Sequence, residues 1–204
     1  MESPGQIVIL NGVPRSGKSA IAAAIQDRFD GPWMNLGVEA FVRHVTPKRF
    51  QPGIGLRPGG ERPDLEDFVF RSYLALYDSI AAHSRLGLNV VADVGHHGSF
   101  VTRGNMLPAC AARLIGLPVL VVGVRCPIEV VMERRRLSLA AGSPHYAIDE
   151  ALVRRWQDEV HKPGIYDVEV DTSLLSPEAC AELIRQSFAS GSSAPRALDR
   201  LSGM

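Results

Sequence analysis

The segment Gly12-Val13-Pro14-Arg15-Ser16-Gly17-Lys18-Ser19 follows directly on the apolar run Ile7-Val8-Ile9-Leu10, and no other part of the chain constrains its fold as tightly. Glycines at both ends of the loop allow a turn tight enough for successive N–H groups to face one phosphate, and the following helix adds its partly positive N-terminus. In this pattern the lysine reaches the terminal phosphates and the adjacent hydroxyl holds Mg²⁺. Gly12, Val13, Pro14, Arg15, Ser16, Gly17, Lys18 and Ser19 are therefore candidate ligands of a nucleoside triphosphate, with Lys18 also a candidate catalytic group.

A chain of 204 residues holds one compact domain with a full core and has little room for two. Basic and acidic side chains balance at 22 each, so bulk charge points to neither a nucleic-acid nor a membrane partner, and any anion must be held locally. Lys18, Lys48 and Lys162 are the lysines of an arginine-rich set, which makes the one inside the loop conspicuous. Cys110, Cys126 and Cys180 are odd in number and lack C-x-x-C spacing, which argues against a disulfide framework or a zinc site. No signal-peptide pattern and no apolar run of about 18 residues is present, and the chain reads as a cytoplasmic, soluble protein.

Strand-like runs at 6–11, 33–36, 88–94, 119–124 and 168–170 alternate with helical segments, which predicts crossover connections and a parallel sheet covered on both faces. Helices are expected at 18–29, shortly after Gly37, and at 64–85 with Asp64 as N-cap and Gly87 past the end. Others are expected at 103–115, 127–139, 149–160 and 177–189, with Pro127 and Pro177 suited to first turns. Val69, Tyr73, Leu76 and Ile80 share one face of the long helix and are core candidates. The domain is expected to span 1–189. Within it, the Pro- and Gly-rich stretch 46–63 is too long for an idle connection and is expected to border the second-substrate site. Residues 190–204, rich in Ser, Gly and Ala, read as a flexible tail that adds little to the core.

Ligands of open parallel sheets gather beyond the carboxyl ends of the strands, and two acids stand there. Asp93 is placed to hold Mg²⁺ or orient a phosphate-accepting hydroxyl. Glu39 is placed to take the proton of an attacking alcohol, or else to stabilise the dipole of its own helix. Arg134, Arg135 and Arg136 offer cations for a transferring phosphoryl group but cannot share one helix face. Arg134 and Arg136 are the candidates, with Arg125 and Arg15 as further ones. His96 and His97 have no third ligand at metal spacing and read as substrate-pocket lining or surface, with His96 assigned to the acceptor side.

Several segments together resemble the chloramphenicol phosphotransferase-like family of P-loop kinases. They are Ile9-Leu10-Asn11-Gly12 leading into Gly17-Lys18-Ser19, then Trp33, Gly37-Val38-Glu39, Asp93-Val94, Gly123-Val124-Arg125-Cys126-Pro127 and Tyr166 through Thr172. The resemblance implies a three-layer α/β fold of nucleotide-kinase type with a central five-stranded parallel sheet. It also implies ATP with Mg²⁺, and transfer of the terminal phosphoryl group to a small-molecule hydroxyl, in the namesake that of chloramphenicol, which inactivates the antibiotic. The chain departs from the family in carrying Glu39 where the family's base is an aspartate, and Ser138 to Ser143 where its lid continues with an Arg-Gly-Asp-Arg-like turn. The readings left open are a kinase of a nucleoside, sugar or shikimate-like metabolite, and a nucleotide-binding module without turnover. The oligomeric state is open too.

Overall fold

The computed structural model describes residues 3–51, 57–58, 60–140, 149–190 and 196–204. Five strands, β1 (Ile7–Asn11), β2 (Trp33–Asn35), β3 (Asn89–Val94), β4 (Val119–Arg125) and β5 (Val168–Asp171), form one sheet in the order β2-β3-β1-β4-β5. Every pairing is parallel, with Leu10 opposite Asp93 on one side and Val122 on the other. The helices are α1 (Lys18–Arg28), α2 (Val38–Val45), α3 (Pro63–Arg85), α4 (Leu107–Ala111), α5 (Ile128–Ala140), α6 (Glu150–Val160), α7 (Pro177–Ala189) and α8 (Ala197–Ser202).

Side chains of a strand point alternately to opposite faces, and β1 shows what that does to a continuous apolar run. Ile7 and Ile9 enter one core layer with Tyr77, Ile80, Leu114 and Leu201, while Val8 and Leu10 enter the other with Ile21, Ile25 and Ile184. The sheet is thus covered by α3, α4 and α8 on one side and by α1 and α7 on the other. A smaller cluster joins Val13 of the phosphate loop to Val131 of α5 and to Val153, Trp156 and Val160 of α6.

Two sequence expectations fail locally. Asp64 is not the N-cap of α3: Pro63 opens the helix after Arg62, and Asp64 binds the Arg62 guanidinium from inside the first turn, its Oδ1 2.8 Å from Nε. The fourth helix begins at Leu107 rather than 103, since Arg103 is drawn to Asp67 and Asn105 Oδ1 accepts the Leu107 N–H at 3.0 Å. The others fall within a few residues of expectation, and α7 matches at both ends, its start fixed by Ser176 Oγ accepting the Ala179 N–H at 3.2 Å.

The expected tail is a larger correction. Residues 197–202 form α8, and Ala197, Leu198 and Leu201 are buried in the main core. Asp167 clasps the helix start, its Oδ1 accepting the Ala197 N–H at 2.9 Å and its Oδ2 the Val121 N–H at 2.7 Å. Leu201→Ala should cost about 2–5 kcal/mol of stability, against about 0.5 kcal/mol or less for the exposed Arg200→Ala. Thermal denaturation of the two variants side by side checks this, and equal midpoints would return the segment to the status of a tail.

Candidate active site

The phosphate-loop pattern lies where expected, between the end of β1 and the start of α1. Arg15 and Gly17 both take the left-handed backbone conformation, at φ 75° and 97°. Gly17 does so without strain, whereas Arg15 pays roughly 1–2 kcal/mol for it, a cost typical of loops that turn their N–H groups inward. A side chain at Gly12 would meet the Val124 carbonyl oxygen at 2.6 Å and the Ser16 hydroxyl at 2.8 Å. The loop interior therefore has no room for one. The Ser16 hydroxyl is buried with no hydrogen-bond partner among the described residues, which leaves it available to a ligand oxygen.

Lys18 Nζ bends back over this loop and donates to the carbonyls of Gly12 at 2.8 Å and Val13 at 3.0 Å. Burial lowers its pKa from the ordinary 10.5 to about 8, against the opposing pull of Asp93 and then Glu39. One lysine inside the loop thus feels both carboxylates singled out from the sequence.

Those carboxylates come from adjacent strand ends. Asp93 lies in register with Leu10, and its Oδ2 accepts a hydrogen bond from Ser19 Oγ at 2.8 Å. A hydroxyl beside a carboxylate oxygen is the donor chemistry that fits Mg²⁺, which prefers a few hard protein oxygens and keeps its remaining ligands for water and phosphate. Gly37 packs so close to Asp93 that an added Cβ would collide with the carboxylate, and this contact fixes the start of α2 against β3. Glu39 stands in the first turn of that helix, its side chain 66% exposed and 3.2 Å from Arg43. The position serves either of the roles inferred for it.

The arginines divide differently from expectation. Arg136 points outward, 75% exposed and paired with Glu133 one turn before it, so it is not placed to serve as a catalytic group. Arg134 is a brace: its guanidinium donates to Thr172 Oγ1 at 2.9 Å and to the Thr172 carbonyl at 2.7 Å, with a longer contact to the Arg15 carbonyl at 3.4 Å. Arg135, passed over in the sequence, is the one turned inward. It is 9% exposed, and its pKa is lowered to about 10 by burial and by the charges of Arg57 and Arg15. Arg125 is taken up by Glu169 at 2.5 Å. The lid positions 141–143 lie outside the described residues.

His96 is buried rather than on the surface, and it lines a small cavity with Asn11, Leu107 and Tyr166. It is 3% exposed, its Nε2 lies 2.8 Å from the Tyr77 hydroxyl, and its backbone N–H donates to Asn11 Oδ1 at 2.9 Å. Burial, with His97 nearby, lowers its pKa to about 3. It is a neutral core histidine that ties β3 to β1 and α3. His97 stacks on Phe100, ring centroids 4.3 Å apart. Near the first half of α3, Phe50 stacks on Phe68 at 5.0 Å, in a cluster with Leu65, Val69, Tyr73 and Met106. Of the loop 46–63, positions 52–56 and 59 lie outside the described residues.

Among the described residues no helix is long and apolar enough to cross a membrane. Two curated proteins of Mycobacterium tuberculosis, strains CDC 1551 / Oshkosh and H37Rv, provisionally named O-phosphotransferases, are each 27% identical over 198 residues, covering 90% of this chain and 82% of theirs. Among solved structures, a sugar kinase from Janibacter sp. HTCC2649 superposes with a TM-score of 0.61 at 16% identity over 92% of this chain and 96% of its own. A shikimate kinase from Acinetobacter baumannii, solved with shikimate, gives 0.59 at 11% identity over 93% and 96%. These structures share the fold. The chloramphenicol phosphotransferase-like protein family matches residues 5–189, which takes in the loop, both carboxylates and every strand of the sheet. The chain belongs to this family of phosphotransferases.

Proposed function

We propose that the protein transfers the γ-phosphoryl group of ATP to a hydroxyl of a small molecule. The observation that carries this reading is the meeting of Lys18, Asp93 and Glu39 at the carboxyl ends of neighbouring strands, with both acids acting on the lysine inside the phosphate loop. The loop amides and Lys18 hold the phosphates. Ser19 and Asp93 would hold Mg²⁺, which would supply positive charge to the phosphates of the nucleotide. The acceptor oxygen forms its bond to the γ-phosphorus as the bond to the β,γ-bridging oxygen breaks, ADP leaves, and the hydroxyl proton passes to the Glu39 carboxylate. Phe41, Val42, Phe50 and the Phe68–Tyr73 face of α3 form the apolar wall against which the acceptor is oriented.

The family's namesake favours chloramphenicol or a related hydroxylated antibiotic as acceptor. A second reading, a metabolite kinase, is favoured by Glu39, whose extra methylene relative to the family's aspartate moves the carboxylate by roughly a bond length. The test is incubation with γ-labelled ATP and Mg²⁺ against chloramphenicol, other hydroxylated antibiotics, nucleosides, sugars and shikimate, with mass spectrometry of the products. One labelled ester is expected, and its identity separates the two readings. ATP binding without a labelled product from any acceptor or from cell extract would leave a nucleotide-binding module in place of an enzyme.

A further inference from the structure

Beside the phosphate loop three guanidinium groups gather, and among the described residues none of Arg15, Arg57 and Arg135 forms an ion pair. Two of them share one aromatic ring. The guanidinium carbons of Arg57 and Arg135 lie 5.0 and 5.5 Å from the centroid of Trp156, within the range of a cation–π contact. The ring is held firmly: Trp156 is 3% exposed, packs with Val13, Val131 and Val153, and donates its Nε1–H to the Pro58 carbonyl at 2.6 Å. The preceding residue of α6, Arg155, pairs with Glu61 at 3.6 Å. Arg57, Pro58 and Glu61, from the stretch expected to border the acceptor, are thereby fastened to the helix that also packs on the phosphate loop.

The position of Arg57 between two chemistries follows from which charges it meets. It acts on Lys18 on the nucleotide side, and on its acceptor side it is itself acted on by Glu39 and Tyr73. It also bears on Arg135, as does Arg15. Like charges brought together and withdrawn from water are unfavourable unless an anion joins them, and a planar guanidinium fork matches phosphate oxygens. Among the described residues Glu39 is the one carboxylate acting on Arg57, and it is mostly exposed.

We propose that Arg57, held on Trp156 beside Arg135, contacts the terminal phosphoryl group of the bound nucleotide, and that Trp156 is the positioning residue for both guanidiniums. This rests on the nucleotide reading of the site given above. It makes the cation supply bipartite, one arginine from α5 and one from the acceptor-side stretch, so that the geometry of the two substrates is tied through a single indole.

The test needs no acceptor. Calorimetric titration with Mg²⁺ and either the β,γ-imido analogue of ATP or ADP is made on the full chain and on Arg57→Ala, Trp156→Leu and Trp156→Phe. Arg57→Ala should weaken the triphosphate analogue by about tenfold to a hundredfold and leave ADP nearly unchanged, which also certifies the fold. Trp156→Leu should follow Arg57→Ala, and Trp156→Phe, which keeps a ring, should recover part of the loss. Equal weakening of both nucleotides by Arg57→Ala, or of neither, overturns the assignment and leaves the nucleotide site standing. A wild-type protein that binds neither nucleotide overturns the functional reading and this inference with it.

Discussion

Lys18→Ala should lower phosphoryl transfer by about 10²- to 10³-fold, the usual cost of removing one preorganised charge from a phosphate or oxyanion site. The lysine is already aimed at its task, with Nζ bonded to the Gly12 and Val13 carbonyls on the rim of the loop. The loss would not come from unfolding. Folding lowers the pKa of Lys18 from 10.5 to about 8 by burial, so between those values the unfolded chain binds more protons and stability rises with pH. Below pH 8 the buried charge opposes folding, and its removal relieves the fold. Nucleotide binding should reverse the shift, because a polyphosphate favours the ammonium form. At pH 8 about half of the lysines are neutral before binding, so about half a proton should be taken up, and almost none at pH 6.5. Calorimetry in buffers of different ionisation enthalpy measures this uptake, which should vanish in the alanine variant. Transfer within about tenfold of wild type, or uptake that persists without the lysine, would remove Lys18 from the phosphate site.

The sheet and the phosphate loop were legible because local pattern and tertiary role coincide there. A strand covered on both faces is apolar at nearly every position, as β1 and β4 are, and the five strand-like runs mark β1 to β5 to within about two residues. The arginines of α5 show where local reading stopped. Their three directions follow from 100° steps, but which one faces inward depends on the phase of the helix, and that phase is carried by its buried residues Ile128, Val131 and Arg135, at i, i+3 and i+7. Extending the apolar stripe from Ile128 and Val131 points to Arg135, a signal hidden by the habit of placing charge outside. Helix α8 was missed for the opposite reason. The composition of 190–204 is that of a linker, yet Ala197, Leu198 and Leu201 have helical spacing and fill the core. His96 follows Asp93 closely in sequence, but β3 ends at Val94 and the chain then carries the imidazole back among Tyr73 and Tyr77. The Trp156 clamp joins Pro58 to a ring 98 residues away. Contacts of that kind leave no periodicity to read.

Glu39→Gln tests the proton-transfer step and should lower turnover by about 10²- to 10⁴-fold, the range for a lost general base, with the affinity for MgATP unchanged. Glutamine keeps the shape of the side chain and one accepting oxygen but cannot take a proton. Among the described residues Glu39 forms one ion pair, with Arg43, an exposed i,i+4 pair of the kind worth under about 1 kcal/mol, so the variant should fold with nearly wild-type stability. Glu39→Asp separates charge from position. It restores the carboxylate of the family's pattern yet withdraws it by about a bond length, a displacement that can cost about a hundredfold in rate. If the acceptor sits as in the namesake, aspartate should work as well as glutamate or better. If this chain has moved its acceptor outward, aspartate should fall between glutamate and glutamine. Turnover within about tenfold of wild type in Glu39→Gln would mean that the carboxylate serves only the first turn of α2, where a negative charge favours the helix dipole, and the base would have to be sought at Asp93.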